Sequence, residues 1–507
     1  MIDEALWFRL LPPQFSQCYY FKNQGRWMKK RTLSFIAASL VAGNLLADEA
    51  ALQAQITALT QKIEQLEKNQ GTLQEDQTAQ AETLSKVNAQ SANDNIKWDI
   101  DLRTAYHNIG YQYADDAKNR DGSTDTIHAG KKYSNDSLFT NRLWLGMGSK
   151  VNDDLFFNGQ VAANYYWGAD TAYHPTMAQD MGWEASSKPH DVSLRLRQAY
   201  FVYKFGNDWS IPMVASAGRR AAADGFLANH REGTAKPGSP LAHITNVEVD
   251  GAMVQFNLDK VFLPGSYLKV VYGRSYDAMN QSVFSAAPYA SPTPYTGATF
   301  PGDEKVDFLV LPMSIYNDGA SNLMAQYAMI MNAKGDNLAG TGYGVAAGTA
   351  HYGALSYQLD GLNEEVDFLN DSTIFASVAM TSTNPNHGFQ MLGSIENKTG
   401  YSFWAGCLFP DTMTKGGRFG LEYNYGSKYW TPMTWAEDSI IGSKIATRGN
   451  VYEGYWNIPI VGKNLTAQVR YSYIDYNYRS SISFMDNPEY KNIDHSQELR
   501  AFIRYQY

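Results

Sequence analysis

The residues of this sequence that could carry chemistry are charged side chains at every second position of short apolar segments. In the final segment, Arg500 and Arg504 alternate with Leu499, Ala501 and Ile503. A strand with apolar residues on one face and arginines on the other fits a wall between lipid and a water-filled lumen. On the most regular segments, we expect twelve charged side chains on the lumenal face: Lys97, Asp99, Asp101, Arg103, Arg142, Arg195, Arg197, Arg418, Glu422, Arg470, Arg500 and Arg504.

Nine of these twelve side chains are basic, although the chain as a whole is acidic. Guanidinium groups offer planar donors to carboxylates and phosphates, and a basic wall raises the local concentration of anions. The pattern therefore predicts an arginine-rich wall that attracts anionic groups. The alternative is a structural role, in which such arginines pair with loop carboxylates and only stabilise a barrel built from these strands.

Motifs for catalysis and metal binding are missing from the sequence. The nine histidines are scattered without the spacing of metal ligands, and neither a GxSxG segment nor a glycine-rich phosphate loop occurs. His351 and Cys407 fall on strand-like segments, where a structural role is commoner than a catalytic one. We therefore predict no catalytic residue, no metal site and no cofactor.

The composition favours a large β protein over a bundle of membrane helices. Hydrophobic residues make up 44% of the 507 residues, and the mean hydropathy of −0.39 is too low for a bundle of membrane helices. Aromatic residues reach 13%, and aromatic girdles mark both interfaces of membrane barrels. Large soluble β proteins share this composition, so only the pattern along the chain can distinguish a membrane barrel from a soluble β protein.

The beginning of the chain predicts export. Basic residues in Met28–Arg31 precede a short apolar run that ends at Ala47, which is the pattern of a secretory signal peptide cleaved after Ala47. The run is too short to cross a bilayer as a helix. We assign residues 28–47 to the signal peptide and residues 1–27 to an upstream extension, with a genuine N-terminal tail as the alternative.

Charge and cysteine content narrow the range of partners. Residues 1–47 hold six basic and two acidic residues, so cleavage changes the formal net charge from −9 to −13. This acidity argues against nucleic acid as a partner. Cleavage also removes Cys18 and leaves Cys407 alone, so the sequence predicts no disulfide framework.

Residues 48–92 have a heptad repeat and contain neither aromatic residues nor proline. The core positions a and d hold Leu52, Ile56, Leu59, Ile63, Leu66, Leu73, Leu84 and Val87. One helix cannot bury such a seam, so the repeat predicts a periplasmic coiled coil that self-associates and could contact peptidoglycan. The alternative is a single amphipathic helix against the barrel or the cell wall.

From Lys97 onward the period of the apolar residues changes from seven to two, and long polar connections alternate with short turns. Barrels of the outer membrane show this alternation, with long loops outside and tight turns in the periplasm. The residues after the heptads suffice for about 16 strands at typical lengths, with strands left unplaced around Gln390 and Met433. The sequence predicts an all-β fold, a transmembrane antiparallel β-barrel over residues 95–507, in contact with outer-membrane lipid.

The first and last strands are expected to close this barrel. The chain ends on the aromatic residue Tyr507, and this ending resembles the assembly signal in the last strand of outer-membrane barrels. We expect Glu498–Tyr507 to pair with Lys97–Tyr106.

The signal peptide, heptads, alternating strands and terminal aromatic together resemble the trimeric porins of Gram-negative bacteria. More specific matches are Phe139–Leu143, Gly218-Arg219-Arg220, Val249-Asp250-Gly251, Gly420–Trp430 and Ala446–Asn450. These segments resemble a porin-like family known only as a domain of unknown function, and the likeness covers most of residues 95–507. The resemblance implies a barrel in the outer membrane and self-association as a trimer, and it supplies no substrate.

In general porins the third external loop folds inward and narrows the channel. By strand count the third loop here is Gly218–Thr245, so the resemblance implies that this segment forms the constriction. Its charged residues include Arg219, Arg220, Asp224 and Glu232. Asp224 and Glu232 would then face the arginine wall.

These patterns predict a passive channel for small hydrophilic solutes that selects by size and by charge in the lumen. One alternative is a structural or adhesive barrel that the coiled coil tethers to the cell wall and that its loops close. A second alternative is a barrel enzyme, such as an outer-membrane phospholipase.

Overall fold

A computed structural model describes residues 96–168, 189, 192–234, 240–274, 306–338, 343–434, 436–480 and 483–507. The predicted upstream extension, signal peptide and coiled coil lie outside the described residues, so these assignments stay predictions. In the described part of the chain, no helix is both long enough and apolar enough to cross a membrane.

The described residues form antiparallel strands and one short helix. The elements are β1 (Ile96–Tyr113), β2 (Lys132–Lys150), β3 (Leu155–Tyr166), β4 (Arg195–Phe205), β5 (Met213–Ala222), β6 (Val247–Asn257), β7 (Tyr267–Arg274), β8 (Asp307–Asn317), β9 (Ser321–Asn337), β10 (Tyr343–Asp360), α1 (Asp367–Asn370), β11 (Thr373–Pro385), β12 (Phe389–Gln390), β13 (Thr399–Pro410), β14 (Arg418–Gly426), β15 (Gly449–Val461), β16 (Leu465–Tyr476) and β17 (Ile493–Gln506).

The strands close into a barrel of sixteen long strands. Each long strand pairs with the next in sequence, and β1 pairs with β17 in a register that runs from Asp101 opposite Gln506 to Tyr113 opposite Ile493. The two-residue strand β12 pairs with the end of β9. Closure gives each long strand a partner strand on both sides. The predictions of about 16 strands and of pairing between the two chain-terminal strands are confirmed.

Side chains alternate between the lumen and the outer face of the barrel. In β17, Arg500 and Arg504 are buried, whereas Leu499, Ile503 and Tyr505 are exposed. A soluble protein would bury the apolar set and expose the arginines. The inverted arrangement has a physical reason if lipid covers the outer face.

Short turns and long connections lie at opposite ends of the barrel. Turns such as 151–154, 318–320 and 462–464 share one end with the start of β1 and the end of β17. The long connections lie at the other end. Two connections depart from this alternation in the second half: 338–342 is short, and 361–372 contains α1. These departures explain why the alternation is less regular there in the sequence.

Several strands differ in length or position from the sequence prediction. β1 and β2 extend through residues expected in a loop, because the ladder of β1 with β17 continues as far as Tyr113 and β2 already begins at Lys132. β5 runs to Ala222, so the third long connection begins at residue 223 and not at Gly218. The unplaced strand near Gln390 is the two-residue β12, and Met433 lies in a loop.

Two of the long connections fold into the barrel. Counting every connection at the end that carries the long loops, we call the third, residues 223–246, loop L3, and the seventh, residues 427–448, loop L7. Their backbones join where Thr245 bridges Met433 in parallel orientation, and the Asn246 amide donates to the Met433 carbonyl at 2.6 Å. The two inserted loops therefore support each other.

Apolar packing attaches both loops to the inner wall. Phe226, Leu227 and Leu241 of L3 pack with Phe375 and Trp404 of the wall. A second cluster joins Ile244 of L3 and Met433 of L7 to inward side chains of β8 to β11. Because these side chains are almost completely buried, part of the lumen is filled by the protein itself.

Candidate lumenal site

The most charged part of the lumen lies where β1, β2, β16 and β17 meet. The sheet register places Arg103 opposite Arg504, and Arg470 opposite Arg500. Like charges directly opposite each other on neighbouring strands are destabilising. The wall therefore requires carboxylates, and one of them, Asp101, is on β1 itself.

Asp101 joins arginines of two strands. Arg504 donates from Nε to Asp101 Oδ1 at 2.9 Å, and Arg142 donates from Nη2 to Oδ2 at 3.1 Å. All three side chains are buried. The hydrogen bonds from two guanidinium groups to this buried carboxylate offset part of the cost of removing the three charges from water.

Asp438 in L7 binds two further wall arginines, Arg103 and Arg500, and shares Arg142 with Asp101. Arg103 Nη2 donates to Asp438 Oδ1 at 3.0 Å, and Asp438 Oδ2 lies 3.4 Å from Arg500 Nη1 and 3.6 Å from Arg142 Nη1. Burial by itself would raise the pKa of Asp438, but Arg103 and Arg500 outweigh it and hold the pKa well below its ordinary value. Asp438 therefore carries its negative charge into the arginine wall.

Glu232 in L3 contacts the same wall from another side. Both Nη atoms of Arg470 lie 3.4 Å from Glu232 Oε1, and Arg504 Nη1 donates to the Glu232 carbonyl at 3.2 Å. Next to it, Arg231 Nη2 donates to Glu437 Oε1 of L7 at 3.1 Å. The two loops thus carry carboxylates to the arginines and also pair with each other.

Asp224 is the other predicted acidic residue of L3. Burial and the carboxylate of Glu232 raise the pKa of Asp224 to about 6, against the opposing effect of Arg197 and Arg142. Its positive φ of 52° places it at a sharp turn of the loop. Asp224 is thus an acidic group of L3 whose charge changes in mildly acidic solution.

A second group of lumenal side chains surrounds Trp144 on β2. The guanidinium carbons of Arg142 and Arg197 lie 3.7 Å and 3.9 Å from the centre of its ring. Arg197 also donates from Nε to Glu248 Oε1 at 3.0 Å. A register shift between β3 and β4, at Gln160, accompanies the inward position of Arg197.

His243 attaches L3 to the wall opposite the arginines. Its Nδ1 lies 2.7 Å from Ser377 Oγ on β11, and its Nε2 lies 2.8 Å from Ser402 Oγ on β13. Edge contacts with Trp404 and Trp430 enclose the ring. Burial lowers the pKa of His243 to about 3, so the imidazole is neutral at physiological pH.

Residues 132–503 match the family model described as "Protein of unknown function (DUF3373)". The chain belongs to the DUF3373 family. This match confirms the resemblance to a porin-like family of unknown function. No curated protein matches the sequence.

Solved structures similar to this DUF3373 protein include three porin-like barrels. OprB of Pseudomonas putida is 12% identical, with a TM-score of 0.47 and coverage of 84% of this chain and 97% of that chain. OmpF of Salmonella typhi is 12% identical, with a TM-score of 0.43 and coverage of 82% and 99%. An anion-selective porin from Comamonas acidovorans is 10% identical, with a TM-score of 0.43 and coverage of 81% and 99%.

The segments that resembled the family hold L7 in place in this DUF3373 barrel. Arg448, at the end of L7, donates from Nε to the Trp430 carbonyl at 2.8 Å and from Nη2 to Thr431 Oγ1 at 2.7 Å. Its Nη1 reaches the Arg479 carbonyl at 2.7 Å. One buried guanidinium group thus fastens both ends of the loop and a neighbouring connection.

Two further family-like segments, around Arg219 and Asp250, meet on the outer face. Arg219 of β5, Asp250 of β6, Arg274 of β7 and Asp307 of β8 are direct neighbours in register and alternate in sign. The Arg219–Asp250 and Arg274–Asp307 pairs lie at 3.1 Å and 2.6 Å. Arg219 is therefore not part of the constriction loop but of a neutral charge row on the outer surface.

The remaining predicted residues are distributed along the inner face. Arg220 belongs to β5 and lies over the Tyr200 ring at 4.4 Å. Glu422 accepts hydrogen bonds from Trp404 Nε1 and Tyr455 Oη, both at 3.0 Å. Asp99 is buried, Arg195 and Arg418 are half-buried, and Lys97 is exposed at the short-turn end.

Sequence reasoning missed the loop residues that complete the site: Arg231, Glu437 and Asp438. They lie in irregular segments without a period that would show which way a side chain points. It also missed Trp144, because tryptophan on a strand is as typical of the lipid interface as of the lumen. Among the described residues, no group of three or more His, Cys, Asp or Glu could hold a metal ion.

Proposed function

We propose that this protein is an outer-membrane porin through which small hydrophilic solutes diffuse passively. One observation carries the proposal: a closed barrel whose inner wall is lined with arginines, with L3 folded inward against that wall. Solutes would be selected by size at the inserted loops and by charge along the wall. Such a channel needs neither a cofactor nor a catalytic residue.

The surroundings of the barrel form part of the same proposal. Exposed apolar residues such as Leu421, Val469 and Ile503 would contact outer-membrane lipid. The heptads of residues 48–92 would form a periplasmic coiled coil after removal of the signal peptide. This coiled coil would support a trimer and could contact peptidoglycan.

Planar-bilayer recording tests the channel directly. We expect the purified, folded protein to insert and give discrete conductance steps in simple salt solutions. Barrel folding is verified beforehand from the heat-dependent shift in gel mobility. Folded protein that inserts but gives no steps would reject the proposed function.

The charge preference of the channel is a separate expectation. The wall arginines outnumber the carboxylates on the same strands, although Asp438 and Glu232 from the loops neutralise part of their charge. We therefore propose a preference for anions, weaker than a bare arginine wall would give. The reversal potential in a salt gradient measures it, and a clear cation preference would contradict the role of the wall.

A structural barrel with a closed lumen is the second candidate, because one observation favours it. Phe226, Leu241 and Met433 of the inserted loops are almost fully buried against the wall, so they fill lumenal space with apolar side chains. In this case the coiled coil would tether the barrel to the cell wall and no solute would pass. The bilayer experiment separates the two, since only the porin conducts.

A further inference from the structure

The arginine cluster around Asp438 contains more hydrogen-bond donors than acceptors. Arg103, Arg142 and Arg500 share the carboxylate of Asp438, and Arg142 and Arg504 share that of Asp101. Among the described residues, four guanidinium groups thus share two carboxylates through direct contacts. Buried charge in excess of its counter-charge is costly, and such a cluster favours the arrival of a further anion.

The excess is visible atom by atom. Arg103 Nε, Arg142 Nε and both Nε and Nη2 of Arg500 are buried and find no acceptor among the described residues. Arg500 is only 1% exposed. A buried N–H group without an acceptor costs about 1–3 kcal/mol, and more when it is charged. Four such atoms in one cluster therefore indicate a place for an external acceptor.

Arg500 has the geometry for a particular acceptor. Its Nη1 donates to the Asp438 carbonyl at 3.2 Å and lies 3.4 Å from the Asp438 carboxylate. The two unpartnered atoms, Nε and Nη2, form the side edge of the guanidinium plane. Their parallel N–H groups match the two oxygens of one carboxylate. Phe502, whose ring centre lies 5.6 Å from the guanidinium carbon, packs beside this group.

We propose that the Nε–Nη2 edge of Arg500 binds the carboxylate of a passing solute, assisted by the Nε atoms of Arg103 and Arg142. The inference rests on the proposed function and names its substrate class: small, hydrophilic carboxylates. Asp438 is the chain's own carboxylate in this site. It holds the arginines in place when the channel is empty and competes with the solute for them.

Asp438 can yield to a solute without the release of L7. The loop is fixed by contacts that do not involve this side chain: Arg448 joins its ends, and the backbone of Met433 pairs with L3. Because the Nε–Nη2 edge of Arg500 is buried beside Asp438, a rotation of the Asp438 side chain is the movement that opens this edge, together with donors of Arg103 and Arg142, to a solute while the loop stays attached. Binding is then weak enough for the solute to leave, as passive transport requires.

Flux through protein-loaded liposomes tests the site with a matched pair of probes. Sodium gluconate and sorbitol have the same number of carbon atoms and differ in the carboxylate. Arg500→Lys keeps the positive charge but loses the two parallel N–H donors. We expect this variant to lower the ratio of the gluconate flux rate to the sorbitol flux rate at least fivefold. Sorbitol flux through the same liposomes normalises for the amount of inserted protein. An unchanged ratio in this variant overturns the proposal.

The control variant is Arg274→Lys, which makes the same change on the outer face of the barrel, beside Asp307. We expect its flux ratio to equal that of the wild type. Asp438→Asn supplies an independent test, because it keeps every arginine and removes the competing charge. The gluconate concentration at half-saturation is expected to fall at least fivefold, and an unchanged value shows that Asp438 does not occupy the site.

The two proposals fail in different ways. Absence of both sorbitol flux and conductance rejects the porin. Calorimetric titration of the full-length protein in detergent with sodium gluconate, against sodium chloride at equal ionic strength, then decides the binding site. Gluconate heat that is lost in Arg500→Lys and kept in Arg274→Lys supports the site, whereas equal heat in both variants rejects it.

Discussion

At the scale of single residues, the stability of the lumen depends on buried charges that find their partners on inserted loops. Asp438, Glu232 and Lys444 all lie in loops and all contact charged groups of the wall. Removal of one partner from a buried ion pair leaves the other charge unpaired in a poorly solvated environment. Substitutions at these positions should therefore cost far more than those at exposed ion pairs.

Lys444 provides the clearest test at this scale. Its ammonium group contacts Glu453 Oε2 on β15, and both side chains are at most 4% exposed. We expect Lys444→Met to lower the free energy of unfolding by about 3–5 kcal/mol, because Glu453 remains buried and charged. Guanidinium unfolding in detergent, followed by tryptophan fluorescence, measures the change.

The double variant Lys444→Met, Glu453→Gln is the control for this prediction. It removes both charges, so most of the lost stability should return. A single variant as stable as the wild type would show that the pair contributes nothing.

At the scale of elements, L3 and L7 behave as inserted parts of the fold and not as flexible covers. Each is attached to the wall by apolar clusters, to the other loop by backbone hydrogen bonds, and to its own ends by residues such as Arg448. The strands form the barrel wall, and the close contact between neighbouring strands limits which side chains fit at each position.

The attachment of L3 through His243 should depend on pH. The pKa of His243 is lowered to about 3 in the folded barrel, below the ordinary value near 6.5 for an unfolded chain. Stability is therefore complete above about pH 6.5 and falls by about 1.4 kcal/mol for each unit below it. We expect hydrogen exchange in L3, corrected for intrinsic rates, to accelerate between pH 7 and pH 4.

His243→Gln separates the pH-dependent exchange in L3 from a general destabilisation of the barrel by acid. Glutamine can still hydrogen-bond Ser377 and Ser402 but does not titrate in this range. The acceleration in L3 should disappear in the variant, while exchange in β15 and β16 should be the same in both proteins. Equal acceleration in wild type and variant would exclude His243 as the titrating group.

Gly218 on β5 is a position where the backbone conformation and the neighbouring strand leave no room for a side chain. Its φ is +127°, and an added Cβ would collide with the Ala199 carbonyl of the neighbouring strand. We expect Gly218→Ala to destabilise the barrel by at least about 2 kcal/mol. The temperature at which the folded band is lost in a gel-shift series reports the change.

Gly110→Ala on β1 is the matched control for this glycine. The nearest atoms to an added Cβ there, in Gln497, are 3.5 Å away, which is an ordinary contact. Its transition temperature should stay near that of the wild type. Equal temperatures for the two variants would contradict the argument from backbone geometry.

At the scale of the whole molecule, the selectivity of the lumen should respond to the ionisation of Asp224. Its pKa is raised to about 6, so the carboxylate is charged at pH 8 and mostly protonated at pH 5. Protonation removes a negative charge that faces Arg142, Arg197, Glu232 and Asp438. We expect the anion-to-cation permeability ratio to rise about twofold on acidification, because the lumen becomes more positive.

At both pH 5 and pH 8, Asp224→Asn should show the anion-to-cation permeability ratio that the wild type shows at pH 5. Asp153→Asn, in the turn between β2 and β3, removes an exposed carboxylate outside the lumen and should behave like the wild type. The same pH dependence in Asp224→Asn as in the wild type would exclude Asp224 as its origin.

The sequence by itself determined the barrel, because the signal is local and repeats. Alternation along each strand separates Arg500 and Arg504 from Leu499 and Ile503, and the lengths of the connections distinguish the two ends. Pairing of the first and last strands followed from closure. The strand ends were less accurate, since β1 and β2 continue into segments whose residues lack the regular alternation of the apolar band.

Only the tertiary structure decided what the arginines contact. Asp438 is 335 residues away from Arg103 in the chain, and Glu232 is 238 residues away from Arg470. Such contacts depend on how two irregular loops pack inside a closed barrel, and an irregular segment has no period that fixes the direction of its side chains. The sequence could therefore place a basic wall in the lumen, whereas the fold alone showed which of its donors are neutralised and which find no acceptor among the described residues.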